Sequence, residues 1–189
     1  MGNDSYALTN MNFYDIPVEV SGVRNGLDQF VYFDISDSKF KRAIVPADTR
    51  LVSIANGTNT LALTAKLHAN RKLLVLDATL AITLPEATGT GDVYTIIQGI
   101  AATSSTIVTA DTANAGFHGF ILGSDTDAAA NYNWVATGAQ DTITFNGVAT
   151  GGKLYDWIRV TDMATDAWLL EGNIKQSGGS EATPLSSAA

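Results

Sequence analysis

The chain has 189 residues, of which 46% are hydrophobic and 16% charged, so it can bury a core with fewer charges than the roughly 25% typical of globular domains. This composition excludes a coiled coil and a disordered chain, because Ala, Thr and Gly replace Glu and Lys while apolar residues stay frequent. The absence of Cys excludes disulfides, thiol nucleophiles and Cys-ligated zinc, and two His are few for a His-rich metal site.

The charge of the chain is negative and unevenly distributed. The formal net charge of −8 argues against nucleic-acid binding, which needs clustered Lys and Arg. No Lys or Arg lies between Lys72 and Lys153, a stretch that contains Asp77, Asp92 and five further acidic residues. This asymmetry indicates either two surfaces with different partners or only the solubility of an acidic chain.

No segment of the sequence predicts contact with a membrane. No apolar run approaches the ~18 residues that span a bilayer, and the N-terminal stretch MGNDSYALTN lacks the basic and apolar parts of a signal peptide. We therefore expect a protein that is made and folded in a cytoplasm.

In chain order, a polar arm over residues 1–15 precedes a succession of short apolar or alternating runs separated by Gly and Asn. Two stretches, Pro46–Ala55 and Asp125–Ala130, hint at short helices. The remaining runs are predicted strands. They are Ile16–Arg24, Phe30–Ile35, Lys41–Val45, Thr60–Thr64, Lys72–Leu76, Thr79–Leu84, Val93–Gly99, Thr106–Ala110, Gly119–Gly123, Tyr132–Ala136, Thr142–Phe145, Leu154–Thr161 and Trp168–Ile174.

The strand pattern predicts a mostly β fold. Alternation in Thr79–Leu84 and Thr142–Phe145 is typical of half-buried antiparallel strands, and turn signals every ten or so residues favour a β-sandwich or jelly roll. No repeat at a fixed solenoid period is visible. We predict an N-terminal arm (1–15), an N-terminal β segment (16–58), an antiparallel β-sandwich domain (59–175) and a flexible C-terminal tail (176–189).

A search for chemistry finds no catalytic constellation, so we expect neither an enzyme nor a cofactor. No Gly-x-Ser-x-Gly elbow is present, and His68 and His118 are 50 positions apart without metal-ligand spacing. The sequence Gly89-Thr90-Gly91-Asp92 resembles a phosphate-binding turn but lacks its Lys, which favours a hairpin turn. Asp125-Thr126-Asp127 offers Ca²⁺ ligands without the full loop pattern of a calcium site.

Several stretches together resemble structural proteins of tailed bacteriophages, over roughly residues 60–185. The longest runs from Leu61 to Pro85 and reads LALTAKLHANRKLLVLDATLAITLP. The others are EATGTGDVYTIIQG, SSTIVTADTANAGFHGFIL, DTITFNG, TGGKLYDW, WLLEG and GGSEATP. A shorter stretch, Phe30–Ala47, resembles a unit near the N-termini of phage tail-fibre proteins, although a hairpin followed by a turn would give the same string.

The resemblance implies a capsid decoration (cement) protein: a non-enzymatic trimer, on the capsid surface of a virion, that binds and stabilises the major capsid protein. It transfers no catalytic, metal or cofactor residues. Within the polar arm, five apolar or aromatic side chains are candidates for contact with coat protein or a neighbouring subunit, by addition of a strand. These candidates are Tyr6, Leu8, Met11, Phe13 and Tyr14.

Two other functions stay open at the level of the sequence. The first is a tail or tail-fibre component, such as an attachment module or adhesin, which Phe30–Ala47 favours. The second is a carbohydrate-binding β-sandwich, in which exposed aromatic side chains such as Trp134 and Trp157 would contact a sugar.

Overall fold

The computed structural model describes residues 28–34, 39–45, 51–109 and 113–187. The chain divides into two compact units, Met1–Asp48 and Thr49–Ala189. This division falls before the predicted boundary between residues 58 and 59. The stretch around 51–58 therefore belongs with the second unit. The predicted strand Ile16–Arg24 lies outside the described residues.

The first unit contains an antiparallel pair of strands. Strand β1 (Asp28–Asp34) pairs with β2 (Lys39–Val45), with Phe33 opposite Phe40 near the connection. Both strands were predicted from the sequence.

The regular secondary structure of the second unit consists almost entirely of strands, which confirms the mostly β prediction. Its only helix in the described ranges is a single turn, α1 (Ala65–His68). The strands are β3 (Leu51–Ile54), β4 (Thr60–Ala62), β5 (Arg71–Val75), β6 (Ala81–Thr83), β7 (Val93–Gln98), β8 (Ser105–Val108), β9 (Gly116–Asp125), β10 (Asn131–Thr137), β11 (Thr142–Phe145), β12 (Trp157–Ala164), β13 (Ala167–Gln176) and β14 (Leu185–Ser186).

Neither predicted helix is present among the described residues. The stretch Pro46–Ala55 contains β3, whose alternating Val52 and Ile54 turn toward the core. The stretch Asp125–Ala130 ends β9 and forms the turn into β10. In both places a few apolar residues without a full helical period gave a false signal.

The strands of the second unit form two sheets. The seven-stranded sheet has the order β10-β9-β13-β12-β7-β5-β3, and the five-stranded sheet has the order β14-β11-β8-β6-β4. The buried apolar residues of both sheets belong to one core cluster. This is a two-layer arrangement, as the sandwich prediction required.

Strands β3 to β8 alternate between the two sheets, and we call this region the parallel coil. Strands β3, β5 and β7 lie side by side in one sheet, while β4, β6 and β8 lie side by side in the other, and all of these neighbours are parallel. The antiparallel prediction is therefore wrong for this region. Parallel pairing of this kind is not that of a jelly roll.

Strands β9 to β14 follow different connections, and we call this region the hairpin half. Strands β9 and β10 form one antiparallel hairpin and β12 and β13 form another, both within the seven-stranded sheet. Strand β13 pairs parallel with β9, and β12 pairs antiparallel with β7 of the parallel coil. The predicted antiparallel arrangement is confirmed for the two hairpins.

The core joins the two regions through large aromatic side chains. Trp168 on β13 is the largest fully buried side chain, and its ring meets that of Tyr94 on β7 edge to face, with centroids 5.9 Å apart. Burial raises the pKa of Tyr94 to about 12. The coil and the hairpin half therefore share one interior.

The C-terminal residues do not form the flexible tail that their composition predicts. Strand β14 pairs antiparallel with β11, and Leu185 is buried in the core. Gln176, where the predicted tail begins, is completely buried at the end of β13. The small polar residues between them form a connection from one sheet to the other.

Candidate functional site

The five predicted contact residues of the arm, Tyr6, Leu8, Met11, Phe13 and Tyr14, lie outside the described residues. The candidate sites of the second unit are its buried carboxylates, its histidines and its exposed apolar side chains.

The Gly89-Thr90-Gly91 turn wraps around a carboxylate of the protein itself. The main-chain N–H groups of Thr88, Gly89 and Thr90 donate to Asp162 at 2.6 to 3.2 Å, and the Thr90 hydroxyl donates to Asp162 Oδ2 at 2.8 Å. Burial alone raises the pKa of Asp162, but these hydrogen bonds hold it below its ordinary value. The donors that could bind a phosphate are therefore engaged by Asp162.

This turn is also not the predicted hairpin. It connects β6 with β7, which lie in different sheets. Its resemblance to an anion-binding turn was physically correct, since successive main-chain N–H groups do surround an anion. The anion is Asp162, which lies more than 70 residues away in sequence.

Other buried aspartates hold connections in the same way. Asp77 accepts hydrogen bonds from the main chain of Asn59 and Thr79, which lower its pKa. Asp156 Oδ2 accepts three main-chain N–H groups, including that of Lys175, while burial raises the pKa of the Asp156 carboxyl. Asp77 belongs to the acidic stretch between Lys72 and Lys153, so the charge of that stretch is only partly a surface property.

The two carboxylates of Asp125-Thr126-Asp127 are joined by a third from the C-terminal connection. Asp125, Asp127 and Glu181 each offer an oxygen, and these oxygens lie within 4.8 Å of one another. They already serve the fold as hydrogen-bond acceptors. Asp125 accepts the main-chain N–H groups of Asp127 and Ala128, and Asp127 Oδ2 accepts that of Gly178. The arrangement links the β9–β10 turn to the chain that follows β13.

An aromatic pair fixes the same connection. Tyr132 and Trp134 stack with ring centroids 5.4 Å apart, and the Tyr132 hydroxyl donates to Glu181 Oε2 at 3.1 Å, which raises the pKa of Tyr132. Trp134 Nε1 donates to Gln176 Oε1 at 2.8 Å, and Gln176 Nε2 donates to the carbonyls of Ala149 and Ala182. The indole N–H of Trp134 is therefore engaged by the fold.

The two histidines are distant in sequence and differ in their burial and contacts. His68 is buried at the end of α1, where its Nδ1 accepts the main-chain N–H of Thr64 at 2.9 Å, and burial lowers its pKa. His118 is exposed on β9, in contact range of Gly138. They do not form a common site.

The outer face of the seven-stranded sheet carries apolar side chains in solvent. Phe120 and Leu122 on β9 are 46% and 45% exposed, and Val135 on β10 is 57% exposed. The register places Phe120 beside Val135, and these three residues are named the outer patch. Trp157 on β12 is 37% exposed, and its neighbour Arg159 pairs with Glu171 on β13. Apolar residues in predicted strands were the only signal for this patch in the sequence.

Comparisons of the chain with protein-family models, with curated proteins and with solved structures find no match. Within the described ranges, no helix has the length and apolar character needed to cross a bilayer.

Proposed function

We propose that the chain is a non-enzymatic structural protein of a tailed-bacteriophage virion. Within that class we propose a capsid decoration protein, a homotrimer that binds the outside of the major capsid protein shell and stabilises it. The observation that carries the proposal is the resemblance over residues 60–185, which covers nearly all of the second unit. The stretches that carry it form strands of both sheets and the loops between them.

The use of the carboxylates supports a structural role. Asp77, Asp156 and Asp162 each accept main-chain hydrogen bonds from connecting loops. Loops held in this way have few unsatisfied polar groups and little freedom, which suits a rigid body in a shell. An enzyme would instead need such groups to face a substrate.

The outer patch supports binding to another protein. Monomeric proteins rarely leave neighbouring large apolar side chains in solvent on one sheet face, and such groups mark interfaces. The patch is uncharged, and depletion of charge is characteristic of the centre of protein interfaces. Phe120, Leu122 and Val135 therefore suit contact with a protein surface.

A hairpin in the first unit is sufficient to explain why Phe30–Ala47 resembles tail-fibre proteins. Strands β1 and β2 form this hairpin. A hairpin produces the alternation of that string, so the string does not favour a tail location over the shell.

Quantitative mass spectrometry of purified phage particles tests the proposal. We expect a copy number comparable to that of the major capsid protein, because decoration proteins cover the whole shell. A copy number of a small fraction of the capsid protein would contradict decoration and favour a tail or fibre component. Absence of the chain from the particles would contradict the virion proposal altogether.

A further inference from the structure

The sheet edges of the second unit differ greatly in length. Strands β14, β4 and β3 end their sheets with two, three and four residues, which are short edges that discourage pairing with another chain. Strand β10 ends the seven-stranded sheet with seven residues, Asn131–Thr137. It is the long edge of this unit.

The hydrogen-bond pattern shows which groups of β10 face outward. Asp125 N donates to the carbonyl of Ala130, and Gly138 N donates to that of Phe117. Because hydrogen-bonded and non-hydrogen-bonded pairs alternate in an antiparallel ladder, the even-numbered residues of β10 bond to β9. The odd-numbered residues therefore direct their N–H and C=O groups away from the sheet.

One end of this outward row is closed by a side chain. The N–H of Thr137 donates to Gln140 Oε1 at 2.9 Å. The remaining outward residues are Asn131, Asn133 and Val135, with Asn133 at the centre. The outward N–H and C=O groups of these three residues are arranged symmetrically about Asn133. A rotation of 180° about Asn133 therefore places the same groups of a second copy opposite them.

Strand β10 lacks the usual protection of an edge. It contains no charged residue, no Pro and no register shift in its pairing with β9. On the outer face of the sheet, the neighbouring side chains of β9 include Phe120 and Leu122, which are also uncharged. In a chain with a net charge of −8, this strip is a surface that two copies can bring together without like-charge repulsion.

We propose that β10 pairs antiparallel with β10 of a second copy of this chain, about a twofold axis at Asn133. Asn133 then lies opposite the partner's Asn133, and Asn131 lies opposite the partner's Val135. Both are hydrogen-bonded pairs, as the outward groups require. The two seven-stranded sheets join into one, and the outer patches of both copies lie on the same face of it.

The pairing goes beyond the proposed function, because it concerns the contact between copies and does not require a capsid. A contact about a twofold axis is compatible with threefold assembly, since three such contacts can join two trimers into a closed particle of six copies.

Sedimentation velocity of the full chain over a range of concentrations tests the pairing. We expect the wild type to form a species of twice the mass of that formed by Asn133→Pro, because Pro removes an outward N–H and blocks the edge. The ladder to β9 stays intact, since the N–H of Asn133 is not used there. Asn133→Thr, which keeps the N–H, is the matched control and should behave as the wild type.

A charge exchange tests the register. Asn133→Lys and Asn133→Asp each place two like charges opposite one another at the axis, and we expect each to weaken pairing by about tenfold or more. An equal mixture of the two variants should recover the doubled species, because the opposite charges then face each other.

Two results would overturn the pairing. One is a wild type with the same mass as Asn133→Pro at every concentration, which would leave the edge to a different occupant, such as a strand of another protein. The other is a doubled species that both charged variants keep, which would place the contact elsewhere. Neither result changes the copy number in particles, so failure of the pairing and failure of the proposed function are distinguishable.

Discussion

In the parallel coil every connection crosses from one sheet to the other, whereas in the hairpin half two connections return within the same sheet. A hairpin strand meets its neighbour after a few residues of turn. A coil strand meets its neighbour only after the chain has passed through the other sheet. The two regions therefore reach the same two-layer core by connections of different length.

This difference explains where the buried carboxylates act. Asp162 lies on β12 in the hairpin half but holds the β6–β7 connection of the coil, and Asp77 accepts main-chain hydrogen bonds from two different coil connections, β3–β4 and β5–β6. A loop that crosses between sheets has no ladder of its own to satisfy its N–H groups, so a carboxylate supplies the acceptors. Loss of such an anchor loosens both sheets.

The largest expected effect comes from disrupting the parallel pairing of β9 with β13 in the hairpin half. Gly119 has φ +133°, and a Cβ there would lie 2.1 Å from the carbonyl oxygen of Leu170 on β13. Gly119→Ala forces β9 and β13 apart and strains the backbone, and we expect a loss of about 3 kcal/mol or more in free energy of unfolding. Urea denaturation measures it.

The matched control lies in the coil. Gly91 also has a positive φ, +77°, but no atom lies within 4 Å of the position of its Cβ. Gly91→Ala should cost about 1–2 kcal/mol, from the backbone conformation alone. Equal losses for the two variants would show that close packing of β9 on β13 contributes nothing.

A smaller effect concerns the connection that follows β13. Gln176→Leu removes the partners of Trp134 Nε1 and of the carbonyls of Ala149 and Ala182. Leaving buried polar groups unpaired should cost about 2–3 kcal/mol, and hydrogen exchange should rise in residues 177–187 before it rises in the coil. Exchange that increases first in the coil would contradict the assignment of Gln176 to this connection.

The next effect in size comes from weakening one anchor of the coil. Asp162→Asn keeps one acceptor oxygen but turns an N–H₂ group toward main-chain donors, which should cost about 2 kcal/mol at neutral pH. Because the pKa of Asp162 is lowered by folding, its stabilisation is complete above the ordinary value of 3.8 and is lost as the pH falls through the lower folded pKa. Thermal unfolding of both proteins from pH 7 to pH 3 should show the difference shrinking.

Asp156→Asn should show the opposite pH dependence of stability relative to the wild type. Burial raises the pKa of Asp156, so its favourable contribution is present below 3.8 and is lost as the pH rises through the higher folded pKa. The variant should therefore gain stability relative to the wild type as the pH rises above 3.8. A parallel pH dependence for the two variants would contradict the assigned electrostatic environments.

Most strands could be predicted from the sequence, but their directions could not. In Thr79–Leu84 the alternation shows correctly that one face is buried, with Leu80, Ile82 and Leu84 in the core. Alternation reports burial on one face, and here it occurs in a strand whose two neighbours are both parallel to it, although alternation is more typical of antiparallel strands. The turn Asn56-Gly57 reads as a hairpin, yet here it joins β3 and β4 in different sheets. The coil has connections of unequal length, which hides its period.

The candidate sites were predictable to different degrees. The anion-binding character of Gly89-Thr90-Gly91 could be recognised from its residues, but its partner Asp162 could not, because only folding brings them together. The outward groups of β10 depend on the register with β9, which a single sequence does not give. Its lack of charge from Asn131 to Thr137 was the available signal.

The parallel coil also suggests how the length of this protein can change over evolution. Its strands in the seven-stranded sheet begin at Leu51, Arg71 and Val93, so one winding takes about 20 residues. Duplication of one winding would add one strand to each sheet and widen both by about 4.8 Å, with every existing register preserved. Insertion of a similar length between β9 and β10 would only lengthen a loop. The coil is therefore a unit by which the breadth of the body can be adjusted in discrete steps.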